Sequence, residues 1–144
     1  SARKGTNVKK LKELLFSQMP EGEKVFQQEI VSDRSERFMI AEIMREKILL
    51  KYDKEIPHGV AVEIETYKET PKLTKIGAVI YCEKKSHKGI IIGKEGKKLK
   101  GIGKDARMEI EGLLGTKVFL ELWVKVKEHW RDSDVALSNF GYKE

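Results

Sequence analysis

Ile91-Ile92-Gly93-Lys94-Glu95-Gly96-Lys97-Lys98-Leu99-Lys100-Gly101-Ile102 sets two glycines three residues apart, between the apolar end of one helical pattern and the apolar start of another. Gly93 can close the first helix with positive φ, and Gly96 leaves no Cβ in the way of a ligand's backbone. The amides that open the second helix are expected to point outward and, with Lys94, Lys97 and Lys98, to attract an anion. Between Lys84 and Arg107 nine basic residues face only Glu95 and Asp105, whereas the rest of the chain carries 20 basic and 21 acidic residues. The whole positive excess behind the formal charge of +6 therefore lies in one window. A charge run by itself describes a solvated helix face. Two glycines inside the run, with apolar residues on both sides, make a phosphate clamp the better reading.

Working outward, the helix before the clamp is short, Ser86 to Ile92, and the one after it carries Leu99, Ile102, Ala106, Ile110, Leu113 and Leu114 at helical spacing until Gly115 closes it. Upstream, Val60, Val62 and Ile64, then Ile76, Ala78, Ile80 and Cys82, alternate with a second face, and Thr70-Pro71-Lys72 joins the two runs into a hairpin. Downstream, Val118, Leu120, Leu122, Val124 and Val126 alternate with Phe119, Glu121, Trp123, Lys125 and Lys127 as a third strand. Asp33, with Glu36 three residues on, is the expected N-cap of a helix that runs to about Tyr52. The order from Asp33 is helix, strand, strand, helix, helix, strand, an α+β pattern with three helices expected on one face of a three-stranded sheet. A further short helix, Asn7 to Met19, is capped by Asn7 and stopped by Pro20, and Trp130, Val135, Leu137 and Phe140 mark a tail.

Other chemistries find little support. The lone Cys82 excludes an internal disulfide and fits a reducing compartment, and no apolar stretch approaches the roughly 20 residues that span a bilayer. His58, His87 and His129 have no partner at a catalytic or metal-ligating spacing, so no catalytic and no metal residue is assigned; His87, beside the basic window, is a candidate nucleotide contact. Trp123 and Trp130 are expected to pack helices. Neither G-x-x-x-x-G-K-[ST] nor G-x-G-x-x-G occurs, so the chain has no nucleotide cofactor site of its own. A glycine-framed loop with lysines is the arrangement in which a K-homology (KH) domain clamps about four nucleotides by their backbone. The expected RNA contacts are Lys88, Ile92, Gly93, Lys94, Glu95, Gly96, Lys97, Lys98, Lys100, Gly101 and Lys104, with bases lying toward the edge of the second strand.

The element order is that of type II KH domains, and two stretches narrow the resemblance. Gly89-Ile90-Ile91-Ile92-Gly93-Lys94 and Val118-Phe119-Leu120-Glu121-Leu122-Trp123-Val124-Lys125-Val126 are similar to the C-terminal domain of the Era family of bacterial GTPases. Phe140-Gly141-Tyr142 resembles that family's C-terminus, and Ser1-Ala2-Arg3-Lys4-Gly5 resembles the last guanine-binding motif of translational-type GTPases. The resemblance implies a remnant of a GTPase domain at 1–20, with Ser1 and Ala2 from its guanine-nucleotide motif, a linker at 21–32, a type II KH domain at 33–130 and a tail at 131–144. It further implies binding to the 3′ end of 16S ribosomal RNA, partnership with the 30S subunit and with an N-terminal GTPase domain that would carry GTP or GDP and magnesium, and a cytoplasmic location, with peripheral attachment to the inner membrane left open. The phosphate loop, the switches and N-K-x-D are missing, so this chain is not expected to be an enzyme. A KH domain acting chiefly as a protein-interaction module is the alternative.

Overall fold

The computed structural model describes residues 1–22, 35–52 and 59–142. It divides into two compact units, residues 1–33 and 34–144. In the first, α1 spans Val8–Gln18. Asn7 precedes it in the left-handed region, φ 61, and its side chain makes no capping bond, so the expected N-cap is not one.

In the second unit the order is α2 (Glu36–Lys51), β1 (Val60–Thr70), β2 (Leu73–Cys82), α3 (Lys85–Ile92), α4 (Lys97–Leu114), β3 (Lys117–Val126) and α5 (Asp134–Asn139). Asp33 lies outside the described residues, as does His58. The cap of α2 is Ser35, whose side chain accepts a hydrogen bond from the Phe38 amide at 3.3 Å. A serine immediately before the helix satisfies an amide that would otherwise have no partner. The helix then buries Ile40, Met44 and Ile48, four apart on one stripe.

The sheet order is β1-β2-β3, with β1 and β2 antiparallel and β3 parallel to β2. β2 is therefore the central strand and has no free edge. β3 can lie parallel because α3 and α4 carry the chain back across the sheet, as a parallel connection requires. Val60, Val62, Ile76, Ala78, Ile80, Cys82, Val118 and Val124 face α2, α3 and α4 and form the main core with Ile91, Ile102, Ala106 and Ile110. The three helices and the expected strand pairing are thus found. A bulge between Ile64 and Thr66 shifts the register, so that Tyr67, not Thr66, returns to the inner face opposite Ile76. Tyr67 packs against the core and donates from its hydroxyl to Glu36 Oε2 at 2.9 Å.

The tail packs on the opposite sheet face. Trp130, Ala136 and Phe140 are buried against Ala61, with Tyr81 beside them, and the Trp130 indole N–H donates to the Gly59 carbonyl at 3.2 Å. Trp130 thus packs against α5, as expected, in a second, smaller core. Trp123 belongs to neither core. It stands on the open part of this outer face, 46% exposed, with its ring beside Gly77. No helix among the described residues is long and apolar enough to cross a membrane.

Candidate nucleic-acid interface

Gly93 ends α3 at φ 70, ψ 175, a backbone region essentially reserved for glycine, and donates its amide to the Gly89 carbonyl at 2.9 Å. The turn from Lys94 to Gly96 follows, with Glu95 at φ 53 and Gly96 at φ 72. Two left-handed residues in succession bend the chain sharply enough to start α4 at once. The amides of Gly96 and Lys97 close this turn on the carbonyls of Gly93 and Lys94. These two do not point outward as the sequence suggested, which shifts the anion-attracting role toward side chains and open space. Around Gly96 that space exists: a Cβ placed there would meet nothing within 4 Å.

Helical geometry sorts the lysines of α4 onto two sides. Lys100, Lys104 and Arg107, at spacings of four and three, rim a groove between α4 and β3. Its floor is apolar: Leu99 and Gly103 from the helix, Val118, Leu120 and Leu122 from the strand. The groove measures about 410 Å³, and among the described residues no ion pair occupies Lys100, Lys104 or Arg107. Gly103 lets helix and strand approach, since an added Cβ would stand 3.1 Å from Leu122 Cδ1. β3 is an edge strand, so its backbone polar groups border the same groove. The open edge beside the clamp is that of β3, not that of the second strand, because β2 is paired on both sides.

Lys97, Lys98 and Gly101 lie on the other side of α4, facing Lys51 and Tyr52 of α2. Lys97 is 2.9 Å from Glu95, so the acidic residue of the loop is turned onto a lysine of the clamp. Lys98 lays its stem along Gly93 and its ammonium over the Tyr52 ring, 5.2 Å from the centroid. The Tyr52 hydroxyl donates to the Ile91 carbonyl at 2.7 Å, which ties α2 to the end of α3, and burial raises its pKa. Lys51 pairs with Asp105 at 2.6 Å, and the lysine holds that carboxyl below its ordinary range. Lys88 and Lys94 are exposed and Ile92 is half-buried against the core.

Of the expected contacts, Lys100 and Lys104 share the groove. Lys97, Lys98 and Gly101 share the α2 side. Arg107, Leu99, Gly103 and the β3 side chains were not among the expected contacts, although 100-104-107 beside 99-103 is visible on a helical wheel. His87 is half-buried on α3, and its Nδ1 has no hydrogen-bond partner among the described residues. Cys82 is buried, donates weakly toward the carbonyls of Lys84 and Lys125, and has its thiol pKa pushed up by burial, as suits an unreactive core residue. Ser1 and Ala2 lie in the turn before α1, where the Ser1 ammonium donates to the Thr6 carbonyl at 3.0 Å.

The family model described as KH domain matches residues 55–131, more than half of the chain. The chain belongs to the KH domain family. Within it the similarity is to GTPase Era: 58% identity to that of Alkaliphilus oremlandii over 99% of this chain, and 52% to that of Clostridioides difficile over its whole length. The chain spans about half the length of these curated relatives, 49% in each case. Two solved structures share this architecture at 40% identity over 98% of the chain and 48% of their own. One is an Aquifex aeolicus Era variant bound to GDP and tetrafluoroaluminate, with a TM-score of 0.93. The other is Era in complex with magnesium, GDPNP and nucleotides 1506–1542 of 16S ribosomal RNA, with a TM-score of 0.94. The three-stranded KH sheet with its glycine-framed loop is therefore a fold that these Era structures contain within about half of their length.

Proposed function

We propose that this KH domain binds single-stranded RNA as the C-terminal, RNA-binding part of an Era-like GTPase, with the 3′ end of 16S ribosomal RNA as its target during maturation of the small ribosomal subunit. The Gly93–Gly96 loop takes the backbone. Bases lie on the apolar floor formed by Leu99, Gly103, Leu120 and Leu122, while Lys100, Lys104 and Arg107 neutralise phosphates along the rim. The observation that carries this is a basic stripe, without an ion pair among the described residues, above an apolar groove that begins at Leu99, within a turn of the loop along α4. Aliphatic floor and cationic rim match the two faces of a single strand, apolar bases and anionic backbone. Guanine-nucleotide binding and hydrolysis are assigned to an N-terminal GTPase domain, and no cofactor is proposed for this chain. An RNA copying nucleotides 1506–1542, the segment held by the solved Era complex, is far longer than the about four nucleotides of one clamp.

The test is titration of that RNA into the chain and into Lys104→Gln/Arg107→Gln at several salt concentrations. The double variant should bind more weakly, with a log-log salt slope shallower by about 0.7 per lost contact. Unchanged affinity and slope would move the RNA off this groove.

A second reading has one observation in its favour. Phe119 and Trp123 are 51% and 46% exposed on the outer sheet face, where a protein partner could cover them. Loss of a ribosomal protein contact in Trp123→Ala, with RNA binding intact, would favour it.

A further inference from the structure

Behind the clamp, on the side of α4 turned away from the groove, lies a second cavity of about 210 Å³, lined by Lys51, Tyr52, Lys97, Lys98 and Gly101. Three lysines from two helices line a space that exists because residue 101 has no side chain: a Cβ there would stand 3.0 Å from Lys51 Nζ. The Tyr52 ring forms the wall under Lys98, and its hydroxyl is committed to the Ile91 carbonyl, so the wall is fixed in place. We infer that this cavity seats a second RNA phosphate, one belonging to the stretch of the same strand that runs past the Gly93–Gly96 loop to the α2 side.

The inference rests on the RNA-binding reading and extends it. Lys98 joins the two sites physically, since its stem lies on Gly93 and its ammonium reaches into the cavity. A strand clamped at the loop therefore has its next phosphates delivered to the cavity mouth. The protein meanwhile fills two of the three cationic positions with its own carboxylates: Asp105 on Lys51 at 2.6 Å and Glu95 on Lys97 at 2.9 Å. The Glu95–Lys97 pair is well exposed and the Lys51–Asp105 pair partly so, and solvent-facing pairs are weak enough to exchange for a phosphate. Lys98 has no carboxylate within ion-pair distance among the described residues. The seat is thus held ready by residues that a phosphate displaces, and it is engaged only by an RNA long enough to reach it.

Length dependence separates this seat from the clamp. Oligocytidylates of about five and about twelve nucleotides are titrated into the parent, Lys51→Gln and Asp105→Asn, with the Tyr52 ring followed by NMR. Lys51→Gln should leave the short RNA unaffected and weaken the long one by about fivefold, with its salt slope shallower by about 0.7. Asp105→Asn, which frees Lys51, should tighten the long RNA. A merely structural role of the pair would move both variants the same way. The Tyr52 ring resonances should shift with the long RNA alone. If the parent binds both RNAs and Lys51→Gln changes neither, or changes both equally, the second seat is overturned while the clamp stands. If the parent binds neither RNA, the RNA-binding reading fails and takes this inference with it.

Discussion

Gly103 of α4 meets Leu122 of β3 at a separation that leaves no room for a full side chain, an added Cβ standing 3.1 Å from Leu122 Cδ1. Glycine inside a helix costs about 1 kcal/mol relative to alanine, so the position is maintained against local stability. Leu122 borders the groove and can turn its methyl into it. Gly103→Ala is accordingly expected to raise stability by about 0.5 kcal/mol in urea unfolding while weakening RNA binding, because the relieved contact narrows the floor. A destabilised variant with normal binding would show that Gly103 serves packing alone.

The two clamp glycines should not respond alike. Gly96, at φ 72 and ψ 10, occupies the left-handed region that aspartate tolerates, and open space surrounds it. Gly93, at φ 70 and ψ 175, is in a region aspartate avoids, and its Cβ would stand 2.7 Å from Lys98 Cγ. Gly96→Asp should abolish most RNA binding with an unchanged circular dichroism spectrum and melting temperature. Gly93→Asp should lose binding and also lower the melting temperature. Wild-type affinity in a folded Gly96→Asp variant would remove the loop from the RNA path.

Alkaline pH tests the bulge. Burial first, and then the Glu36 carboxylate, push the Tyr67 phenol up to about 12 from an ordinary value of 10.0. Its folded-state pKa is raised, so the neutral form is favoured on folding, and the stability this contributes is complete below pH 10.0 and lost as pH rises toward about 12. Tyr67→Phe should therefore lose less stability than the parent between these limits, measured by urea unfolding at each pH. Parallel decline in both proteins would mean that Tyr67 does not titrate with unfolding.

Helix α1 should exchange its amides rapidly. Val8, Leu11, Leu14, Leu15, Phe16 and Met19 are each between 44% and 62% exposed, and no side-chain cap closes the N-terminus. An 11-residue helix without buried apolar contacts is marginal in water. Hydrogen exchange across Leu11 to Leu15 should approach the unstructured rate, and strong protection would show that its apolar side chains are covered in solution.

How far the sequence carried the reading can be seen at α4. The glycine pair, the capping Gly115 and the core stripe Ile102, Ala106, Ile110 were legible because each obeys a local rule, conformational or periodic. The groove was not, because lysines adjacent in sequence point about 100° apart around a helix. Lys98 and Lys100 were grouped as one patch and stand on opposite sides of α4. The bulge at Ile64–Thr66 escaped for a similar reason: one extra residue reverses the alternation, and nothing in Glu65-Thr66-Tyr67 announces where the reversal falls. The edge position of β3 followed from the parallel return of α3 and α4, a tertiary fact with no residue-level mark.

Trp130 reaches back to the Gly59 carbonyl across 71 residues, and Phe140 closes over Tyr81 with ring centroids 5.1 Å apart. During synthesis the hairpin emerges long before these partners. Until Phe140 has left the exit tunnel, Ala61 and Tyr81 lack the cover that the tail gives them in the finished fold. The nascent domain therefore passes through a state with part of its outer sheet face open until the tail docks. A premature stop before Trp130 would leave the clamp sequence intact and strand that face in the open, a species for chaperones and proteases rather than for RNA.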